Sequence, residues 1–191
     1  MDADGQHKLT DVMTACKLLV DQNLDIVVGS RFVDKAMISG LSRRRTRGSS
    51  LANHASRFSL PKNYSHLTDY MSGCFVLNLK TCYESIRKVN VNGFKFFYEF
   101  LSVSRGKFNI LEVPLSFQAR YYGESKLDLS ILWDFLVSLL HTMSFRILPR
   151  RAISFGLVGS SGCVIQLICT KLFMDVAQVG FEISIALAAI I

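Results

Sequence analysis

Charge is scarce in the last fifth of the chain. From residue 152 to residue 191 the only Lys, Arg, Asp or Glu are Lys171, Asp175 and Glu182. The first 151 residues hold the other 21 Lys and Arg and the other 13 Asp and Glu, a net of +8. Paired cysteines are lacking as well. Cys16, Cys74, Cys82, Cys163 and Cys169 are odd in number and scattered, with no C-x-x-C and no His at zinc-finger spacing. That excludes a disulfide framework and a structural zinc site, and it points to reduced thiols in a cytosolic compartment. No basic-then-apolar leader opens MDADGQHKLT, so the globular part is expected to stay on the side where it was made. No internal repeat stands out. With half of its 191 residues hydrophobic and 19% charged, the chain is neither disordered nor low in complexity. The mean hydropathy of +0.29 reflects the uncharged end: a basic globular part precedes a membrane part.

Within the basic part, Thr10 to Asn23 places Val12, Met13, Cys16, Leu19 and Val20 near helical spacing, with Thr10 as the expected N-cap and Asp11 in the first turn. LDIVVGSR (24–31) reads as a short buried strand. Helix followed by apolar strand is the unit of an α/β fold with a parallel or mixed sheet. Residues 72–78 and 108–117 read as further strands, and GFKFFYEFLSVSR (93–105) as a helix with an aromatic face. Two basic stretches, 38–50 and 118–130, resist regular assignment. Residues 129–151 suit either an amphipathic helix at a membrane surface or a core helix. Residues 152–174 carry one charge over 23 residues, long enough to cross a hydrocarbon core that needs about 20. Residues 181–191 begin a second apolar segment. Arg146, Arg150 and Arg151 precede the span while Asp175 and Glu182 follow it, which places the basic domain in the cytoplasm.

Asp2, Asp4 and Gln6 fall on one face if the opening residues are extended. Two carboxylates and an amide oxygen suit a hard cation, Mg2+ or Mn2+, although an isolated D-x-D is more often a solvated pair. Arg31 alone could cap a strand end. The Arg43, Arg44, Arg45 and Arg47 cluster could be a solvated loop or could attract anionic head groups. His7, His54, His66 and His141 share no ligand spacing.

The order MDADGQH, DIVVGSRF, DYMSGCFVLN, GFKF and EVPLSFQARYYGESKL, then an apolar tail, resembles the family-2 glycosyltransferases of the polyprenyl-phosphate (dolichol-phosphate) mannosyltransferase type. The most specific piece is R-x-x-G-x-S-K, here Arg120, Gly123, Ser125 and Lys126, just after E-V-P. FGLVGSSGCVIQL resembles the start of a GtrA-like membrane module. The resemblance implies an α/β fold: a partial GT-A (Rossmann-like) catalytic domain over 1–128, an amphipathic or interface helix over 129–151, and a membrane region over 152–191. Family members carry roughly a further 80 to 90 residues before the D-A-D motif, the nucleotide-binding half of the sheet. The chain is therefore expected to be a fragment, reaching membranes but transferring no sugar by itself.

The same resemblance implies transfer of a hexose, mannose or glucose, from a nucleotide-sugar of the GDP-mannose or UDP-glucose type to a polyprenyl phosphate on the cytoplasmic membrane face. Asp2, Asp4 and Gln6 would hold the Mg2+ or Mn2+ that neutralises the donor diphosphate. Arg31 and Arg45 would grip the lipid phosphate. Arg120 and Lys126 would close over the phosphates from a loop hinged at Gly123 and Ser125. Asp4, Arg120 and Lys126 are the expected catalytic residues, and Asp69 belongs to the architecture of the site. Two alternatives stay open: a GT-A transferase acting on a saccharide or lipid hydroxyl, and a non-catalytic membrane-anchored remnant. Nucleic acid is not expected as a partner, for want of any binding motif.

Overall fold

A computed structural model describes residues 7–33, 37–38, 43–89, 96–114, 116–117, 129–177 and 180–189. The chain divides into two compact units, residues 1–143 and 144–191.

The first unit is built on a mixed three-stranded sheet. Strand β1 (Ile26–Ser30) lies at its centre, antiparallel to β3 (Phe75–Leu77) and parallel to β4 (Ile110–Pro114). Every residue of β1 is buried, as a continuous apolar run demands when both faces of a strand are covered. Alternation sorts its side chains. Val27 packs with Ala15, Leu18 and Leu19 of α1 (Leu9–Asp21) on one face, while Ile26 and Val28 enter the main core on the other. That core gathers Tyr64, Leu67, Tyr70 and Cys82 with Phe97, Phe100 and Leu101 of α4 (Phe96–Ser104). Phe97 stacks on Phe75 at 5.0 Å and Phe100 on Phe108 at 5.5 Å. A second, two-stranded parallel sheet joins β2 (Met37–Ile38) to β5 (Ser116–Phe117). Helix α3 (Leu79–Ile86) is capped by Asn78, whose side chain accepts from the Lys80 N–H.

Three expectations shift. Thr10 is not the N-cap of α1: Lys8 holds that position with no side-chain cap, and Thr10 lies within the first turn. Residues 8–10 are exposed, so water can satisfy the orphan N–H groups there. Nor do Met13 and Val20 belong to the buried stripe of α1; both are exposed, and Ala15 holds the centre. The stretch 38–50 is partly regular, because α2 (Arg43–Ser59) begins inside it. Arginine is a good helix former, and packing of the apolar and small residues downstream holds the helix in place.

Helix α5 (Leu129–Met143) turns Phe135, Val137 and Leu139 to the core, leaves Leu129 and Leu132 more than half exposed, and leaves Trp133 and Leu136 partly exposed at 38% each. The chain then turns through Phe145 and Arg146, both at positive φ. In the second unit, α6 (Arg150–Ala177) runs for 28 residues, about 42 Å at 1.5 Å per residue. Among the described residues it is the one helix long and apolar enough to cross a membrane. Helix α7 (Phe181–Ala188) packs against it, and Gln166 Nε2 donates to the Ile185 carbonyl at 3.1 Å.

Candidate functional site

Parallel strands β1 and β4 end together, with Ser30 opposite Pro114. The residue after β1 is Arg31, and the 67–72 loop folds across it. Arg31 Nε donates to Asp69 Oδ2 at 2.7 Å and Nη2 donates to Oδ1 at 2.9 Å. The backbone N–H groups of Arg31 and Met71 add bonds of 3.3 and 3.2 Å to the same carboxylate. This is a fork-to-fork pair, the strongest geometry available to arginine and a carboxylate. Asp69 is wholly enclosed and the Arg31 side chain is 16% exposed.

The loop that carries Asp69 is held from β4. The Glu112 carboxylate accepts from the Thr68 N–H at 2.9 Å, the Thr68 hydroxyl at 3.0 Å and the Asp69 N–H at 2.9 Å. Ser30 Oγ lies 2.9 Å from Thr68 Oγ1, and Ser72 Oγ donates to the Gly29 carbonyl at 2.6 Å. Two carboxylates and one guanidinium thus meet at the carboxyl end of the central strand. The Asp69 oxygens are engaged by four donors, and two of these fix the Arg31 guanidinium plane.

From the other side, α2 presents Ser50, Asn53, His54 and Arg57 to an open pocket of about 190 Å3, also lined by Phe32, Leu67, Thr68 and Tyr70. Asn53 Oδ1 accepts from the Tyr70 N–H at 3.0 Å, and the Tyr70 hydroxyl donates to the Tyr64 carbonyl at 2.9 Å. Burial pushes the Tyr70 phenol up to about 12, the Arg57 charge pulling partly the other way.

Of the residues expected from the sequence, Arg31 and Asp69 are brought together. Arg45 lies within α2, its side chain outside the described residues. Asp2, Asp4, Gln6, Arg120, Gly123, Ser125 and Lys126 all lie outside them. Among the described residues no group of three or more His, Cys, Asp or Glu could hold a metal ion, and no disulfide forms. Sequence reasoning missed Glu112, Thr68 and Asn53. One signal was present: Glu112 interrupts an apolar strand, Ile110-Leu111-Glu112-Val113, and a carboxylate placed there needs partners.

No protein-family model matches the chain. It is 32% identical over 167 residues to the dolichol-phosphate mannosyltransferase of Pyrococcus furiosus, an alignment covering 87% of this chain and 46% of that protein. It is 31% identical over 149 residues to the dolichol-phosphate mannosyltransferase of Mycosarcoma maydis, covering 76% of this chain and 48% of that protein. The chain therefore spans about half the length of the curated relatives it matches.

Proposed function

From its likeness to two dolichol-phosphate mannosyltransferases we propose that this chain belongs to that type of glycosyltransferase and supplies the acceptor-side part of a GT-A catalytic domain. In this reading the protein moves a hexose from a nucleotide-sugar of the GDP-mannose or UDP-glucose type to a polyprenyl phosphate. An acceptor phosphate oxygen attacks the anomeric carbon, the bond from that carbon to the donor diphosphate breaks, and a nucleoside diphosphate leaves. The attacking oxygen is already anionic at neutral pH. The site then needs orientation and charge neutralisation more than it needs a base.

The observation that carries the reading is the placement of Arg31. It sits at the carboxyl end of the central strand, where open α/β sheets bind their ligands, with its guanidinium plane fixed by Asp69. Arg31 and Arg45 are proposed to receive the lipid phosphate. Arg120 and Lys126 close over the phosphates about Gly123 and Ser125, and Asp69 orients. Asp2, Asp4 and Gln6 offer the all-oxygen donor set that a hard Mg2+ or Mn2+ prefers. Such an ion supplies neutralisation of the leaving diphosphate.

The membrane would bring the acceptor. Helix α6 is apolar around its circumference, with Phe155, Val158, Ile165, Leu167 and Leu172 all exposed, as a helix in lipid requires. We place it across the bilayer with Arg146, Arg150 and Arg151 on the cytoplasmic side, and α5 at the interface. The test is sugar transfer by the chain joined to the N-terminal residues of the Pyrococcus furiosus relative. Excess EDTA and Asp4→Ala are each expected to abolish it. Full transfer in either condition would overturn the metal assignment.

A further inference from the structure

Glu112 sits at the middle of β4, half-buried between Leu111 and Val113. No ion pair reaches it among the described residues. Its carboxylate accepts uncharged N–H and O–H groups instead, all from Thr68 and Asp69. Oε1 alone takes the Thr68 N–H at 3.0 Å, the Thr68 hydroxyl at 3.0 Å and the Asp69 N–H at 2.9 Å. An anion spent on two neighbouring residues, with no countercharge, serves to fix their geometry.

Those two residues are the ones that surround Arg31. Asp69 takes the Arg31 Nε, Nη2 and backbone N–H donors, and a planar guanidinium held by two parallel bonds cannot turn. Thr68 works from the other flank. Its one hydroxyl proton goes to Glu112, so in the 2.9 Å contact between Ser30 and Thr68 the Ser30 hydroxyl donates. Ser30 Oγ in turn accepts from the Phe32 N–H at 3.0 Å. A directed chain therefore runs from Phe32 through Ser30 and Thr68 to Glu112, and bonds so ordered polarise one another. The segment also has anchors that do not involve Glu112. His66 Nε2 lies 3.2 Å from the Ile110 carbonyl, and Asn53 Oδ1 accepts from the Tyr70 N–H. Removing Glu112 should thus loosen Thr68 and Asp69 while the segment stays docked.

We propose that Glu112 is a positioning residue for Arg31, aligning through Thr68 and Asp69 the guanidinium that meets the oxyanion of the acceptor. That this oxyanion is a polyprenyl phosphate rests on the proposed function; the relay to Arg31 does not. Glu112 adds negative charge where an anion is to be received, so it acts through its oxygen positions and not through its charge.

Two measurements test this: amide hydrogen exchange of the full chain in detergent, and transfer kinetics of the chain joined to the N-terminal residues of the Pyrococcus furiosus relative. The Arg31 and Met71 N–H groups donate to Asp69 and not to Glu112. In Glu112→Ala both are expected to exchange at least about tenfold faster. The KM for polyprenyl phosphate should rise at least about tenfold, with the KM for the nucleotide-sugar within about twofold of the parent. Glu112→Gln keeps an acceptor at the Oε1 position and should bring both readings back to the parent's. Asn78→Ala, which removes the cap of α3, controls for destabilisation and should leave the acceptor KM unchanged. Parental exchange of the Arg31 and Met71 amides in Glu112→Ala would overturn the proposal. So would an equal rise in both KM values, no rescue by Glu112→Gln, or an acceptor KM raised as far by Asn78→Ala. Absence of transfer by the joined parent chain would strike the proposed function, and exchange of the two amides would then decide the relay by itself.

Discussion

At the scale of single residues, the Arg31–Asp69 pair decides most. Its two members are not equivalent, because Asp69 has no contact with water and Arg31 keeps some. Arg31→Ala leaves an enclosed carboxylate uncompensated, a change that costs about 3–5 kcal/mol in comparable buried pairs. Asp69→Asn removes the charge from the enclosed side and lets Arg31 turn toward solvent, so it should cost less. Chemical denaturation of the two variants should rank them in that order; equal losses would show that the pair is not buried in solution. Tyr70 gives a second residue-scale prediction. Its pKa rises from 10.0 to about 12 in the fold, so between those values the folded state holds a proton that the unfolded chain has lost. Stability should therefore be intact below pH 10 and fall as pH rises toward 12. Burial also raises Tyr64 and Cys82, which steepens the alkaline fall. Tyr70→Phe should flatten the slope measured between pH 9 and 11. None of this pairing could be read from spacing alone. Arg31 and Asp69 lie 38 positions apart, and Thr68 and Glu112 lie 44 apart. Side-chain partners at such separations are set by the fold.

At the scale of elements, legibility followed how each segment meets the core. Strand β1 could be read because both its faces are buried, which makes the apolar run continuous. Helix α4 could be read because its aromatic residues pack on all sides. Helix α2 could not, since four arginines and Gly48 occupy its first six positions and its apolar anchors come later, at Ala52 and Leu60 just beyond its end. In α1 the polar–apolar pattern has two candidate faces, and only contact with β1 and β3 chooses between them. Helix α5 carries the prediction at this scale. Trp133 is the single tryptophan of the chain and lies on the exposed apolar side. If that side rests on a membrane surface, its fluorescence should shift to the blue in bilayers and be quenched by brominated lipid. Emission like that of tryptophan in water, without quenching, would remove α5 from the interface.

At the scale of the whole molecule, the chain comprises an α/β unit, whose central strand ends in an oriented arginine, and a unit dominated by one long apolar helix. Helix α6 has the length and surface of a spanning helix, and the chain is expected to remain with membranes through a carbonate wash. Release into the soluble fraction would contradict the placement of α6 in the bilayer. The central claim is narrower: the acceptor is a phosphate, and the basic residues around β1 and α2 exist to receive it. The most direct measurement supplies radiolabelled GDP-mannose and UDP-glucose to the chain joined to the N-terminal residues of its Pyrococcus furiosus relative. Polyprenyl phosphate and the corresponding polyprenol serve as competing acceptors. The account predicts that one of the two sugars appears on polyprenyl phosphate, with polyprenol unlabelled. Label on polyprenol to the same extent, or on neither lipid, would contradict it.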